Sequence, residues 1–571
     1  MSDFIRASVA TVEALFLQPR VIELPWFQRA YAWREDNVLR LVSDVMQAMA
    51  DPRQRYSLGH IHLAGATSAG NVALVDGHQR AITLAILFAV LRDIAAGDVT
   101  IPSSERDAVQ QRLQALISFA DDGERDGAPP WRLLTQPQMA DFFRAYVQEP
   151  GATLIDPAED LAELSPAERN LINNRDRLLD VLGPAKLSPT KRMQFCDFLL
   201  SHCHVVVVEV DNEDEAWSML GIQQTTRMQH DASEQSKIAI IYSMPKADQE
   251  EAARIWESEQ ARLANERLNE LLEHLRTQRI RQRSTKPLEG ELQQLYKLNL
   301  GGTEFMKTIF RPHADAMRLI DGRQLGTGVM ATIINGHVEV LSWLDHRQWV
   351  APALAWLTTH GGLHRETEMF FAHLDRLSWM LRLAGTDPHE QETRFIRLTM
   401  AVHSGASVKE WPEFEISEKT IDEAQAILRS RTFYFKHMSK LVLRRLCYQL
   451  GQDPGHIDGE RITVEHILPR KPPKDRLWHK DFGSIAGIKE YADRLGNMAL
   501  LTGPINRKLD TKDWHLKRAI LLGHVADGNF KFLLAAEATE YAQWTPQVIK
   551  ARTEKLIGVL FQYWGLPVTP A

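Results

Sequence analysis

The sequence has few cysteines, and they are not paired like the ligands of a zinc site. Cys196, Cys203 and Cys447 are the only three among 571 residues, and no two of them form a Cys-x-x-Cys pair. A zinc ribbon or a framework of disulfide bonds is therefore not expected. This composition fits a reducing compartment.

Long apolar runs and secretion signals are also missing. The longest apolar run near a predicted helix covers residues 81–91, which is too short to span a bilayer. The first residues, MSDFIRASVATVEALF, do not resemble a secretion signal. We therefore expect a cytoplasmic protein that does not enter a membrane.

Low-complexity tracts and repeats of fixed period are absent as well. Hydrophobic residues make up 44% of the chain and charged residues 25%, which is ordinary for globular proteins. A chain of this length is expected to hold two to four domains. The composition thus excludes disordered, collagen-like and membrane classes, and the function must be sought in local motifs.

The most distinctive stretch runs from Ile462 to Arg518. It opens with ITVEHILPRKPP and closes with LGNMALLTGPINRKLDTKDWHLKR. From Arg461 to Arg518 the chain carries 13 Lys and Arg against 7 Asp and Glu, a local net charge of +6, whereas the whole chain has a formal charge of −7. A basic segment in an acidic protein indicates local contact with a polyanion.

The polar residues of this stretch suit the hydrolysis of a phosphodiester bond. His466 titrates near neutral pH and can act as the base that takes a proton from water. Glu465 and the amide oxygen of Asn506 are hard oxygen ligands of the kind that Mg²⁺ prefers. Adjacent side chains of a strand point to opposite faces, so Glu465 and His466 can meet at one phosphate only where the strand ends or bends. Pro469 is the expected stop.

A second strand and a helix are predicted behind this pair. Residues 498–501 have the pattern of a short buried strand, and Thr502-Gly503-Pro504 is typical of a turn. Asn506 then lies at or near the start of a helix that reaches Lys517 or beyond. A helix start offers free N–H groups and a positive dipole end, which favour a nearby phosphate. Taken singly, these residues are also typical of strand ends and turns.

A second candidate site is predicted where a strand runs into a helix near the N-terminus. Residues 71–75 form the strand, DGHQR follows at residues 76–80, and the helix AITLAILFAVLRDI comes next. Gly77 allows a sharp turn and close approach to a ligand. Arg80 can fork onto phosphate oxygens, and Asp76 can bind a metal or accept from a hydroxyl. By itself, a DG turn before a helix is usually only a turn.

The C-terminal motif resembles the HNH (His-Me finger) nuclease motif of GmrSD-type restriction endonucleases. The shared pattern is Glu465-His466-x-x-Pro469, Gly496-Asn497-x-x-Leu500-Leu501 and Asn506-x-x-Leu509. The resemblance implies that Glu465 and Asn506 hold Mg²⁺ or Mn²⁺, that His466 is the base, and that Asn497 steadies the loop and orients the His. It also implies DNA contacts by Arg507, Lys508 and Lys512. Lys517 is predicted to be a catalytic residue and is a further candidate for a phosphate contact.

The N-terminal part resembles the GmrSD-type N-terminal domain, which has a ParB/sulfiredoxin-like core. The shared segments are LPWFQRAYAW at residues 24–33 and DGHQR at residues 76–80. In this family the domain binds or hydrolyses nucleoside triphosphates and senses modified DNA. The candidate nucleotide-binding residues are Gln28, Arg29, Asp76, Gly77, His78, Gln79 and Arg80.

Two departures from the family pattern bear on the nucleotide. His78 stands where the family usually has Gln, which leaves nucleotide preference and hydrolysis open. The Asn-x-x-Gly segment expected after the strand at residues 204–210 is replaced by IQQTTRMQ at residues 222–229. The contacts of that loop are therefore expected to have changed.

These patterns predict a mostly helical α+β protein. Residues 1–242 would form the ParB-like nucleotide-binding and DNA-sensing domain, residues 243–425 a helical middle region, and residues 426–571 a ββα-metal (HNH) nuclease unit set among helices. The middle region carries no motif that can be interpreted.

The expected function is a modification-dependent, type IV-like DNA endonuclease of a prokaryotic anti-phage defence system, regulated by a nucleoside triphosphate of unknown identity. Its expected partners are DNA, in particular modified phage DNA, and the nucleotide. Association as a homodimer or with other defence proteins is open. A nucleotide-gated toxin or RNA nuclease without modified-DNA sensing is the alternative, and a catalytically idle DNA-binding regulator is a third.

Overall fold

The computed structural model describes residues 5–26, 28, 30–51, 55–66, 71–119, 131–157, 161, 164–211, 232–263, 265–280, 282–404, 407–451, 462–526 and 532–570. The chain divides into two compact units, Met1–Asn269 with Tyr296–Thr308 and Glu270–Leu295 with Ile309–Ala571. The described residues form many helices and two small sheets, so the prediction of a mostly helical α+β protein is confirmed. The three-part domain division remains a prediction.

The first unit contains a six-stranded mixed sheet with the order β1-β6-β3-β4-β2-β5. β6 pairs antiparallel with β1 and parallel with β3, while β4 pairs antiparallel with β3 and parallel with β2. The strands are β1 (Ile5–Thr11), β2 (Ile22–Glu23), β3 (Tyr56–Ala66), β4 (Val72–Asp76), β5 (Leu133–Leu134) and β6 (Cys203–Val210).

One central helix supplies much of the core of this unit. It covers His78–Gly97, and apart from Arg80 every side chain from His78 to Ala95 is buried. A helix that is apolar all round must be enclosed by protein, which explains the long apolar run noted in the sequence. The helices of this unit are α1 (Val12–Phe16), α2 (Glu35–Met49), α3 (His78–Gly97), α4 (Ser103–Ile117), α5 (Pro137–Phe143), α6 (Pro166–Leu182), α7 (Pro189–Ser201), α8 (Ala232–Tyr242), α9 (Lys246–Arg262), the start of α10 (Asn265–Thr277), and later α12 (Gly302–Phe305).

The second unit is almost entirely helical and contains one antiparallel pair of strands. These are β7 (Ile462–His466) and β8 (Met498–Thr502). Its helices are the end of α10, α11 (Leu288–Leu295), α13 (Arg311–Gly322), α14 (Val329–Ser342), α15 (Val350–His360), α16 (Arg365–Ala384), α17 (Pro388–Ala401), α18 (Glu418–Arg429), α19 (Ser439–Gln449), α20 (Trp478–Asp481), α21 (Ile485–Ala492), α22 (Gly503–Leu509), α23 (Trp514–Ala526), α24 (Leu533–Ala538) and α25 (Pro546–Tyr563).

The helix predicted from Asn506 through Lys517 is interrupted. α22 ends at Leu509, and the next residue, Asp510, has a φ of 42°, in the left-handed region that helices do not use. A new helix, α23, begins at Trp514. Asp510 therefore lies at the end of α22, whereas Lys517 lies in α23.

Membrane crossing finds no support in the helices. Across the part of the chain that the structure describes, none of them is both long enough and apolar enough for a bilayer span.

Candidate active site

The β7–β8 pair places the Glu-His dipeptide at the end of a strand. Glu465 lies opposite Ala499, and His466, the last residue of β7, lies opposite Met498. The chain then leaves the strand, and the Ile467 amide donates to the carbonyl oxygen of Asn497 at 3.0 Å. The strand thus ends where the sequence required it to end, just before Pro469.

His466 is held between a carboxylate and an aromatic ring. Its Nε2 lies 3.2 Å from Oδ1 of Asp493, and the ring of Tyr434 meets the imidazole edge-on, with 4.5 Å between centroids. Burial lowers the pKa of His466, and the nearby Asp493 charge only partly opposes this effect. The imidazole is therefore neutral at neutral pH, with one nitrogen held in place, as a general base requires.

Asp493 gives a testable pH dependence. Its negative charge favours the imidazolium form and so raises the pKa of His466. Replacing it, as in Asp493→Asn, should shift the acidic limb of the pH–rate profile of DNA cleavage to lower pH. It should also lower the plateau rate, because the ring loses its fixed partner. An unchanged profile in Asp493→Asn, beside a control variant of the exposed Asp475, would show that the pair does not govern the base.

Asn497 is buried and uses its whole amide group inside the protein. Its Oδ1 accepts from the Leu468 amide at 2.8 Å and from Trp544 Nε1 at 2.9 Å, while its Nδ2 donates to the carbonyl oxygens of Leu468 and Ala492. Asn497 therefore clamps the loop that follows His466. This geometry supports a positioning role and leaves no free group for a substrate.

Gly496 lies too close to a neighbouring helix to carry a side chain. A Cβ built on it would lie 2.1 Å from the carbonyl oxygen of Ile549 in α25. The Gly496 amide donates to Oγ1 of Thr553, and its carbonyl oxygen accepts from the buried guanidinium of Arg552. The Gly-Asn motif is thus the point at which α25 packs against the β7–β8 pair.

We expect Gly496→Ala to destabilise the second unit by at least about 1–3 kcal/mol, the usual cost of overpacking a tight core. The measurement is chemical denaturation of the purified chain. Gly558→Ala is the matched control, because Gly558 lies in α25, the helix that contacts Gly496, and has open space around its Cβ position. If both variants unfold at the same denaturant concentration as the wild type, the inference that Gly496 is too closely packed for a side chain is wrong.

Glu465 and Lys517 form a buried ion pair next to His466. Lys517 Nζ lies 2.5 Å from Oε1 of Glu465 and donates to the carbonyl oxygen of His466 at 3.0 Å. Burial raises the pKa of Glu465 and lowers that of Lys517, because desolvation outweighs their mutual attraction. Lys517 is therefore not exposed as a phosphate contact would be. Its ammonium neutralises Glu465 and supports the backbone of His466.

Asn506 lies on the same face of the hairpin as Glu465. Its Nδ2 donates to Oγ1 of Thr463 at 3.0 Å and to the carbonyl oxygen of Val464 at 3.2 Å, which directs the amide oxygen away from the strand. Thr463 and Glu465 share a strand face because they are two residues apart. The two predicted ligands are therefore brought to one side of β7.

Asp510 is a site residue that the motif did not reveal. It lies four residues after Asn506, and its charge adds to the effect of burial in raising the pKa of Glu465. No group of three His, Cys, Asp or Glu side chains suited to a metal occurs within the described ranges. Two carboxylates and one amide oxygen nevertheless fit a hard divalent ion that keeps several waters.

The predicted DNA contacts lie around the end of α22. Arg507 and Lys508 are exposed in its last turn, and Lys512 is half-buried, with its Nζ bonded to the Lys508 carbonyl oxygen. These cations are available to a polyanion.

The N-terminal motif also forms the predicted strand–turn–helix junction. Gly77 caps α3 with a φ of 92°, which a residue with a side chain rarely adopts. The Gly77 amide donates to Oδ1 of Asp76 at 2.7 Å. Asp76 is half-exposed at the end of β4, with its Oδ2 3.8 Å from Nδ1 of His62.

The two glutamines of this motif face inward. Gln79 accepts from the amides of Ala32 and Trp33 and donates to the carbonyl oxygen of Ala30. Gln28 donates to the carbonyl oxygen of Val75 at 2.6 Å. Both side chains therefore tie the aromatic-rich segment to the strand and helix of the motif, and neither amide group points to a ligand in this conformation.

The other predicted nucleotide contacts differ in their exposure. His78 is buried, and Arg29 lies outside the described residues. Arg80 donates to the carbonyl oxygen of His60 at 2.9 Å on the exposed side of the junction. Asp76 and Arg80 are thus the described members of the motif whose side chains are not buried.

Comparison with protein families agrees with both halves of this description. The model described as "GmrSD restriction endonuclease, N-terminal domain" matches residues 12–297, and "GmrSD restriction endonucleases, C-terminal domain" matches residues 418–559. A search of curated proteins gave no match. The two family matches together cover most of the chain. The chain therefore belongs to the GmrSD restriction endonuclease family and is a DNA nuclease of the restriction type.

Proposed function

We propose that the site around His466 is an HNH-type centre that hydrolyses phosphodiester bonds of DNA with a divalent metal ion. The observation that carries the proposal is the neutral, carboxylate-held imidazole of His466 at the end of β7, the strand that also carries Glu465 and to which the Asn506 amide bonds. Glu465 and His466 lie on β7 and Asn506 lies on α22, which follows β8, and this order of two strands and a helix supports the proposal.

The residues divide the work as follows. His466 takes a proton from the attacking water. Asp493 holds the imidazole, and Asn497 fixes the loop behind it. Glu465, Asn506 and Asp510 would hold Mg²⁺ or Mn²⁺, which supplies positive charge beside the departing oxygen. Arg507, Lys508 and Lys512 neutralise the neighbouring phosphates.

Metal-dependent cleavage tests this function. Wild-type protein should nick or cut DNA with Mg²⁺ or Mn²⁺, and an excess of chelator should stop the reaction. Asp510→Asn should raise the metal concentration needed for half-maximal rate, with the exposed Asp481→Asn as control. Cleavage that is insensitive to chelation would contradict the metal requirement. Cleavage of RNA with no cleavage of DNA would contradict the substrate.

We further infer that the N-terminal motif binds a nucleoside triphosphate, with Arg80 on its phosphates and Asp76 accepting from a hydroxyl group or holding a metal ion, at the turn formed by Gly77. The support is the half-exposed Asp76 at a turn that only glycine adopts readily, together with the Arg80 guanidinium, which interacts electrostatically with Asp76 and donates to the carbonyl oxygen of His60. Arg80→Ala should weaken binding of the nucleotide about tenfold or more, since charge-assisted bonds to phosphate contribute roughly 1.5–3 kcal/mol.

Titration calorimetry with each nucleoside triphosphate measures this effect. Arg40→Ala is the control, because Arg40 is an exposed arginine of α2 in the same unit. Equal affinities of wild type and Arg80→Ala for every nucleotide that binds would reject this assignment. The nucleotide that binds should then be tested for its effect on cleavage.

Dependence on DNA modification is the remaining part of the proposal. We expect faster cleavage of modified phage DNA than of the same sequence without modification, and a change in rate on adding the nucleotide. The experiment compares the two DNAs with and without each nucleoside triphosphate. Equal rates on both DNAs would leave a restriction-type nuclease that does not sense modification.

A further inference from the structure

An aromatic and arginine cluster, formed by Tyr434, Phe435 and Arg470, lies beside His466. Phe435 ends a short 3-10 turn, Phe433–Phe435, and is 59% exposed. The guanidinium carbon of Arg470 lies 4.7 Å from the centroid of the Phe435 ring and 5.5 Å from that of Tyr434. A large ring that is more than half exposed contributes little to the core, while the arginine next to it adds positive charge.

This cluster is joined to the imidazole by direct contacts. Tyr434 packs edge-on against His466, and its backbone amide donates to the carbonyl oxygen of Asp493 at 3.0 Å. Oδ1 of Asp493 lies 3.2 Å from Nε2 of His466 and also 3.2 Å from Nε of Arg470. Phe435 is thus linked to His466 through Tyr434, and Arg470 is linked to it through Asp493. Both lie within reach of the nucleotide next to the bond that is cut.

We propose that Phe435 and Arg470 form a binding subsite for the nucleobase that flanks the scissile phosphate. Bases stack on exposed aromatic rings whatever their sequence, and an arginine beside the ring adds cation–π attraction and charge for the backbone. Arg470 belongs to the segment from Arg461 to Arg518, whose net charge of +6 favours a DNA strand as the occupant. The subsite rests on the proposed function, because the flanking base is defined by the phosphate cut at His466.

Stacking on Phe435 requires the base to leave the duplex stack. The subsite therefore predicts a preference for substrates with an unpaired nucleotide beside the cut. It also predicts that the ring contributes to binding of the substrate and not to the chemical step. A stacking contact that does not involve the reacting atoms is made equally in the ground and transition states.

The test uses the full chain and a short oligonucleotide whose cleavage position has been mapped. Phe435→Ala should raise KM about 5- to 150-fold, the range that corresponds to loss of one base–aromatic stack, with kcat little changed. Phe435→Trp should keep KM close to that of the wild type. Val329→Ala is the control, because Val329 is an exposed apolar residue of the same unit and is 80% exposed.

An abasic residue beside the cut gives the same test without changing the protein. The wild type should lose as much affinity for the abasic oligonucleotide as Phe435→Ala loses for the normal one, and the variant should lose nothing more. An unchanged KM for the wild type with an abasic residue on either side of the cut would overturn the subsite alone. Absence of metal-dependent cleavage by the wild type would overturn the proposed function and the subsite with it.

Discussion

His466→Ala is expected to lower the rate of DNA cleavage by roughly 10²–10⁴-fold, which is the usual contribution of a positioned general base. The neutral imidazole at the end of β7 is held at Nε2 by Asp493, and its pKa is lowered by burial. Without it, the attacking water must lose its proton to solvent. The measurement is the single-turnover rate on supercoiled plasmid with Mg²⁺, which separates the chemical step from product release.

The variant should still fold and bind DNA, because His466 is replaced at the edge of the hairpin and the basic residues of α22 remain. His515→Ala is the matched control, since His515 is an exposed histidine of α23 in the same unit. Full cleavage by His466→Ala would remove the base assignment. Loss of both folding and cleavage would leave the role of the imidazole to be judged from the pH–rate profile of Asp493→Asn.

Lys517→Met should destabilise the second unit by about 3–5 kcal/mol at neutral pH, because it leaves the carboxylate of Glu465 buried without its partner. Both side chains are almost fully buried, and the ammonium also supports the His466 carbonyl oxygen. Chemical denaturation measures the loss. Lys508→Met, a change at an exposed lysine, should alter stability by less than about 0.5 kcal/mol.

The loss should depend on pH. Burial already raises the pKa of Glu465, and removal of Lys517 should raise it further. Below this pKa the carboxyl group is protonated and no longer needs a cation. The gap in the free energy of unfolding between variant and wild type should therefore narrow in acid and widen as pH rises. A gap that is the same at acidic and alkaline pH would show that Glu465 is not the group left unpaired.

Replacing both members of the pair distinguishes charge from packing. Glu465→Leu combined with Lys517→Met should recover much of the stability lost by Lys517→Met, because two apolar groups leave no buried charge. The double variant should nevertheless fail to cleave DNA if Glu465 is a metal ligand. Activity of the double variant would remove Glu465 from the proposed metal site.

The local elements and the order of the motifs can be predicted from the amino-acid sequence. Period-two and helical patterns predicted β4 and α3 around Gly77 and the strand pair that carries His466. They could do so because backbone periodicity, turn residues and apolar runs act over a few residues. Family membership was predicted from the same motifs and is confirmed by the family matches.

Which side chains contact one another becomes visible only in the folded protein. The partners of His466 are Asp493 and Tyr434, which lie 27 and 32 residues away in the chain, and the partner of Glu465 is Lys517. The tertiary structure also showed that Gln79 serves the backbone and that Asp510 breaks a helix expected to be continuous. Such contacts depend on packing between distant segments, and neither the spacing nor the chemical type of a residue specifies its neighbour in space.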